Sequence, residues 1–344
     1  MSQEERLLIL QMVADGKITA SEGAELLRAL EGQREEREEP PCAETPPRPR
    51  ERRSGVSATL GSGISSLVEE IMDRVSGVLN DFTGQRYEFP TEISGVFTAD
   101  RVPLRIFTGN GNVELRAWDE PGYKAQILVK ARGASEEDAR KRAQEAYRVT
   151  ATETGFELES DRRFDWSDVG VHVTLFLPAA HTYRLETRTG NGLIRLEGIV
   201  LSEGTATSGN GRITVLGVTA DRLYLKSGNG SVEVEGDVAD LDASTGNGSL
   251  RVVPLGRRSE RIQVKTGNGS ATIDTGRLSR AVGLFVDAHT GMGSVSVNRS
   301  DLVYELDERN IGYKHVIAHT EGYDQAAQKV DIRVRTGLGS ISVE

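Results

Sequence analysis

Leu223-Tyr224-Leu225-Lys226-Ser227-Gly228-Asn229-Gly230-Ser231-Val232-Glu233-Val234 is the stretch on which the fold turns. Apolar residues at alternate positions lead into a Ser-Gly-Asn-Gly turn and out of it again, the pattern of two strands each burying one face. Variants of this turn recur, with first glycines at Gly109, Gly190, Gly209, Gly228, Gly246, Gly267, Gly291 and Gly337, so the middle copies stand 19, 19, 18, 21 and 24 residues apart. That period is too short for helical-hairpin repeats and fits one turn of a β-solenoid.

The flanks keep register. Four and six residues after each first glycine stand apolar pairs, from Val113 and Leu115 through Val232 and Val234 to Ile341 and Val343. Five and three residues before it stand Leu104 and Ile106, Leu223 and Leu225, Leu241 and Ala243, Ile262 and Val264, Val286 and Ala288, Ile332 and Val334. The same alternation points the Thr or Ser before each first glycine inward, where its hydroxyl can bond a corner backbone group. Stacked coils would align Asn110, Asn191, Asn210, Asn229, Asn247 and Asn268 as a turn ladder with steps of about 4.8 Å. The copies at Gly291 and Gly337 carry Met292 and Leu338 there instead, which favours a structural ladder over a ligand site.

The expected fold is therefore mainly β, a parallel β-solenoid or β-helix over 85–344 with an inserted α/β segment at about 118–180. The insertion reads as a strand through Ala125, Ile127 and Val129, a helix capped by Ser135 and running to about Tyr147, and strands at Thr150 to Glu159 and Val171 to Pro178. Residues 298–331 read as a smaller irregular excursion. Upstream, 1–32 forms a helical hairpin, with a break at Gly16-Lys17 and a capping box of Thr19 and Glu22. So small a unit must dimerise or dock elsewhere to bury its apolar face. Residues 33–57 form a linker, holding five of the ten prolines among Glu and Arg. Residues 58–84 form an amphipathic helix with Ile64, Leu67, Val68, Ile71, Val75, Val78, Leu79 and Phe82 on one face. It is expected to cap or pack on the solenoid, the alternative being a membrane surface beside Arg48, Arg50, Arg52 and Arg53.

Leu177-Pro178 followed by Leu185-Glu186-Thr187-Arg188-Thr189-Gly190-Asn191-Gly192 and the repeated TGNG units resembles the bacterial putative-adhesin family of β-strand repeats. ILQMVADGKITASEGAELLRALE, residues 9–31, resembles the short helical domain of the LiaX/YvlB-type group within it, related to a short oligomerisation domain. The resemblance implies a role in cell-envelope stress and supplies no catalytic residues or cofactor.

A net charge of −10 argues against nucleic acid as a partner. The lone Cys42 allows no internal disulfide. With no apolar run of membrane-spanning length and no leader-like segment after Met1, the expectation is a cytoplasmic protein, alone or against the inner face of the membrane. Chemistry is sparse. His315 and His319 have helical i, i+4 spacing but lack the rest of a zinc motif, and Asp237, Asp240 and Asp242 do not recur as a calcium repeat. No metal or cofactor is expected.

Two residues before each first glycine, facing outward, stand Arg188, Thr207, Lys226, Ser244, Lys265, His289 and Arg335. Arg188, Lys226, Lys265 and Arg335 make this a candidate anion stripe for a membrane surface or cell-wall polymer, against the plainer reading of a solvated face partly neutralised by Glu186, Asp242 and Asp287. The leading function is a non-catalytic envelope-stress or surface-interaction protein that self-associates or binds a protein through 1–32. The alternatives are a carbohydrate-active β-helix enzyme, which would need two carboxylates flanking a cleft, and a filament built by stacking through the uncapped last strand, Ser340 to Glu344.

Overall fold

A computed structural model describes residues 85–161, 168–256, 258–310 and 312–344. The chain divides into two compact units, Met1–Ser65 and Ser66–Glu344, and every described residue belongs to the second. The expected hairpin, linker and amphipathic helix of 1–84 lie outside the described residues.

The described chain is mainly β, with 21 strands in one sheet that does not close on itself. Each turn copy joins a strand in one parallel run to a strand in a second. The first run contains, in spatial order, β2 (Arg101–Asn110), β8 (Thr182–Asn191), β10 (Val200–Asn210), the latter parts of β11 (Ile213–Asn229) and β12 (Val232–Asn247), β14 (Arg261–Asn268), β20 (Lys329–Leu338) and β16 (Gly283–Met292). The second contains β3 (Val113–Trp118), β9 (Ile194–Glu197), the first parts of β11 and β12, then β13 (Leu250–Pro254), β15 (Ala271–Ile273), β21 (Ile341–Val343) and β17 (Val295–Val297). β11 serves both runs because it bends at a bulge around Gly217, whose φ of 61° suits glycine.

The alternate apolar residues on both sides of each turn are buried, Ile106, Val113, Leu225, Val264 and Val334 completely. Burial of this kind contributes about 1.5–3 kcal/mol per large apolar side chain. The turns themselves stack so closely that a Cβ on Gly230 would overlap the Gly211 carbonyl oxygen, so the second glycine is required sterically. Beneath the turns, the Ser227 hydroxyl donates to that Gly211 carbonyl at 2.8 Å, and Thr189, Ser208, Thr245 and Thr266 make the same bond one coil along.

Stack order departs from chain order. The Gly291 copy does not follow the Gly267 copy; β20 lies between β14 and β16, with Thr336 bonding Gly269 and Thr290 bonding Gly339. Periodicity makes each copy a strand–turn–strand unit and is silent on which unit it stacks against. This also corrects the expectation of an uncapped C-terminal strand: β21 has β15 on one side and β17 on the other, so its edges are already paired and it offers no edge for filament growth.

The flanking segments finish the two ends. β4 (Tyr123–Gly133) lies antiparallel between β1 (Gln85–Gly95) and β7 (Val169–Pro178), and β7 joins β3 in parallel. The helix α1 (Glu136–Glu145), N-capped by Ser135, buries Ala139 and Ala143. The single strand read at Thr150 to Glu159 is instead a hairpin of β5 (Tyr147–Thr152) and β6 (Gly155–Ser160), turning at Glu153-Thr154. At the other end, the stretch read as irregular holds the antiparallel pair β18 (Leu302–Asn310) and β19 (Tyr313–Thr320), and β19 pairs with β16. His315 and His319 therefore stand on a strand, where spacing of four puts both on one face.

Candidate functional site

At the turn corner, the six asparagines are linked side chain to side chain. Asn191 Nδ2 donates to Asn110 Oδ1 at 2.8 Å, and Asn210, Asn229, Asn247 and Asn268 each donate to the preceding Oδ1 at 2.7 Å. Interior members use one donor and one acceptor on one another, so the ladder is a structural chain of amides along the stack. Asn268 then meets Leu338, and Leu338 meets Met292, in the same register.

Beside this corner the outward side chains of the first run fall into rows. The row farthest from the turn reads Arg184, Glu203, Arg222, Asp240, Arg261, Asp331, alternating in sign from strand to strand. Its members pair across coils: Arg184 with Glu203 at 3.2 Å, Arg222 with Glu203 at 3.9 Å and Arg261 with Asp240 at 3.7 Å. The row next to the turn is different. It reads Phe107, Arg188, Thr207, Lys226, Ser244, Lys265, Arg335, His289, without a single carboxylate.

The two ends of this cationic row behave differently. Arg188 pairs with Glu186 at 2.8 Å and lies 5.5 Å from the Phe107 ring centroid, so its charge is engaged. Among the described residues, no carboxylate lies within ion-pair distance of Lys226, Lys265 or Arg335. Lys265 and Arg335 are direct cross-strand partners, a like-charge juxtaposition that destabilises a sheet. Chain order alone places His289 between them. The interposed β20 makes them neighbours and seats His289 beyond Arg335.

The His289 ring lies tilted at 54° against that of Tyr313, with centroids 4.8 Å apart, and its Nε2 is buried without a hydrogen-bond partner. The next row inward is mixed, with Arg105 near Glu186 at 3.6 Å and Asp287 bonded to His315 Nε2 at 2.7 Å. His319 bonds the Thr320 carbonyl at 3.0 Å, and no group of three His, Cys, Asp or Glu among the described residues is placed to hold a metal ion. Asp240 and Asp242 belong to separate outward rows, one paired with Arg261 and one opposite Tyr224, while Asp237 accepts from the Arg258 backbone.

Two features were not legible beforehand. A cavity of about 780 Å³ beside the first coil is lined by Arg105, Phe107, Glu157, Glu159 and Arg188, and Glu157 is held by Arg105 at 3.3 Å. The buried Thr108 hydroxyl in its wall has no partner, because this coil lacks the preceding glycine carbonyl that serves the others. On β7, beside the second run, His172 Nδ1 accepts from the Asn112 backbone at 3.2 Å. Burial, with Lys130 and Arg86 nearby, holds this imidazole below its usual value against the opposing pull of Glu88.

Residues 4–35 match a SHOCT-like domain. Over 215 residues the chain is 23% identical to the uncharacterized protein YvlB of Bacillus subtilis (strain 168), a match covering 59% of this chain and 57% of that protein. The chain thus spans little more than half the length of this relative. Solved structures with likeness to it include a putative adhesin from Bacteroides fragilis NCTC 9343, at 10% identity and TM-score 0.35, covering 76% of this chain and 97% of that one. Another is a putative cell adhesion protein from Clostridium sporogenes ATCC 15579, at 14% identity and TM-score 0.28, covering 74% and 99%. No helix among the described residues is long and apolar enough to cross a membrane.

Proposed function

We propose that this chain is a non-catalytic envelope-stress or surface-interaction protein, a rigid β-solenoid that presents a cationic row to an anionic membrane surface or cell-wall polymer. One observation carries the reading. On a single face, the outward row farthest from the turn alternates in sign and pairs with itself, while the row next to the turn keeps Lys226, Lys265 and Arg335 without a carboxylate partner among the described residues. The paired row shows that the scaffold accommodates compensating acids at such positions, so their absence beside the turn favours an external anion. Repetition at the strand spacing suits a surface or polymer with many charges, since several weak contacts then act together.

The N-terminal unit supplies the second part of the reading. The SHOCT-like match over 4–35 supports a small module that self-associates or holds a protein partner. A place at the inner face of the membrane fits both parts. The match to an uncharacterized protein and the adhesin names of the solved structures suggest no reaction.

The test is charge reversal in the row. Lys226→Glu with Lys265→Glu is expected to weaken retention on both polyphosphate and anionic vesicles while leaving the thermal melt near that of the parent. Unchanged retention on both would end the reading.

A further inference from the structure

We infer that the corner where 265–268, 335–338 and 289–292 stack is a docking face specifically for an anionic lipid surface, in which Lys265 and Arg335 meet headgroup phosphates and Leu338 and Met292 enter the acyl boundary. The inference rests on the cationic row proposed above and names its ligand.

Its basis is a second departure at the same corner. From Asn110 to Asn268 the ladder position carries an amide bonded to its neighbour, yet the next two positions in the stack carry Leu338 and Met292, 50% and 63% exposed. Asparagine at 338, or at 338 and 292 together, would lengthen the ladder and remove apolar surface from water, so the exchange sacrifices local stability. The two side chains are stack neighbours only because β20 lies beside β16. Arg335 and His289 stand three residues before them on the same strands, and the same insertion sets Lys265 of β14, three residues before Asn268, directly beside Arg335. Tyr313, 40% exposed and packed at a tilt against His289, adds a ring with an apolar body and a polar tip, a side chain suited to the headgroup boundary.

Cations beside exposed apolar side chains distinguish the two anionic sources. A phosphate polymer or polysaccharide offers charge and no apolar phase, so cations alone would serve it. A lipid surface offers both, with each nearby cation and each buried methylene contributing to binding. The cationic face ends at His315, which Asp287 holds at 2.7 Å and which stands opposite Glu308 of the edge strand β18.

The experiment compares full-length parent and variants by co-sedimentation with vesicles of equal parts phosphatidylglycerol and phosphatidylcholine, and by retention on polyphosphate. Leu338→Asn with Met292→Asn is expected to lower vesicle affinity by roughly tenfold or more, to spare polyphosphate retention, and to keep or raise the melting temperature. Lys265→Ala with Arg335→Ala is expected to weaken both, by about fivefold per cation on vesicles. To separate this corner from the chain upstream, a bimane on Met292→Cys in a Cys42→Ser background is expected to shift to the blue on vesicles. Vesicle binding that survives the double asparagine change, a bimane insensitive to bound vesicles, or a parent that binds no vesicles overturns the lipid assignment. Loss of polyphosphate retention in the lysine–arginine variant alongside any of these would leave the anion reading standing; no loss on either probe would remove both.

Discussion

Each residue within a coil has a single task set by the direction it faces. Val232 is 1% exposed in the apolar stack, whereas Lys226, six residues earlier on the other side of the turn, projects into solvent. Val232→Asp is expected to cost several kcal/mol, because its carboxylate must be desolvated or protonated. Lys226→Asp is expected to cost under about 0.5 kcal/mol. Thermal melts of the two variants check this. Ser227→Ala removes the 2.8 Å donor from the Gly211 carbonyl and is expected to cost about 0.5–1.5 kcal/mol, measurable by urea denaturation. These inward and outward assignments follow from period two in the sequence, and hydroxyl residues inside an apolar face stand out on that ground alone. Thr108 is the exception that only coordinates reveal, since its missing partner belongs to a coil that is not there.

Among the elements, β20 is the one whose place in the chain misleads. It is the penultimate strand, yet it pairs in parallel with β14 on one side and β16 on the other. Its amides are therefore expected to exchange with deuterium as slowly as those of β12, which mass spectrometry of the exchanged peptides checks; rapid exchange would indicate a frayed terminus. The β1–β4–β7 end has its own signature in His172. Its imidazole is held below the usual value, so the unfolded chain takes up the proton first as pH falls, and folding stability declines below about pH 6.5. A His172→Gln variant is expected to show a shallower decline over that interval in melts recorded against pH. The Thr150 to Glu159 segment eluded sequence reading because a two-residue turn at Glu153-Thr154 keeps β-like alternation on both sides. The long excursion after Val297 has no turn copy to mark it, so its β18–β19 pair was hidden.

For the whole molecule, the proposed anion surface implies a strong dependence on salt. Binding of full-length chain to polyphosphate is expected to fall steeply as sodium chloride rises through the range where surface charges are screened, and a salt-insensitive isotherm would contradict an electrostatic row. Removing residues 1–32 is expected to lower the mass measured by light scattering or to abolish capture of a protein partner, the two roles proposed for that module. What the sequence determined by itself is the strand–turn–strand unit, its inward and outward faces and the outward position of each stripe residue. These follow from local periodicity, whereas the close stacking that makes the second glycine of each turn sterically necessary is seen only in the structure. The tertiary structure alone decided the order of the last coils, and with it the contact of Lys265 with Arg335, the seat of His289 and the pairing of Leu338 with Met292. A repeat with uniform register lets any coil stack on any other, so neighbours are chosen by how the intervening β16–β19 segment folds back over the stack.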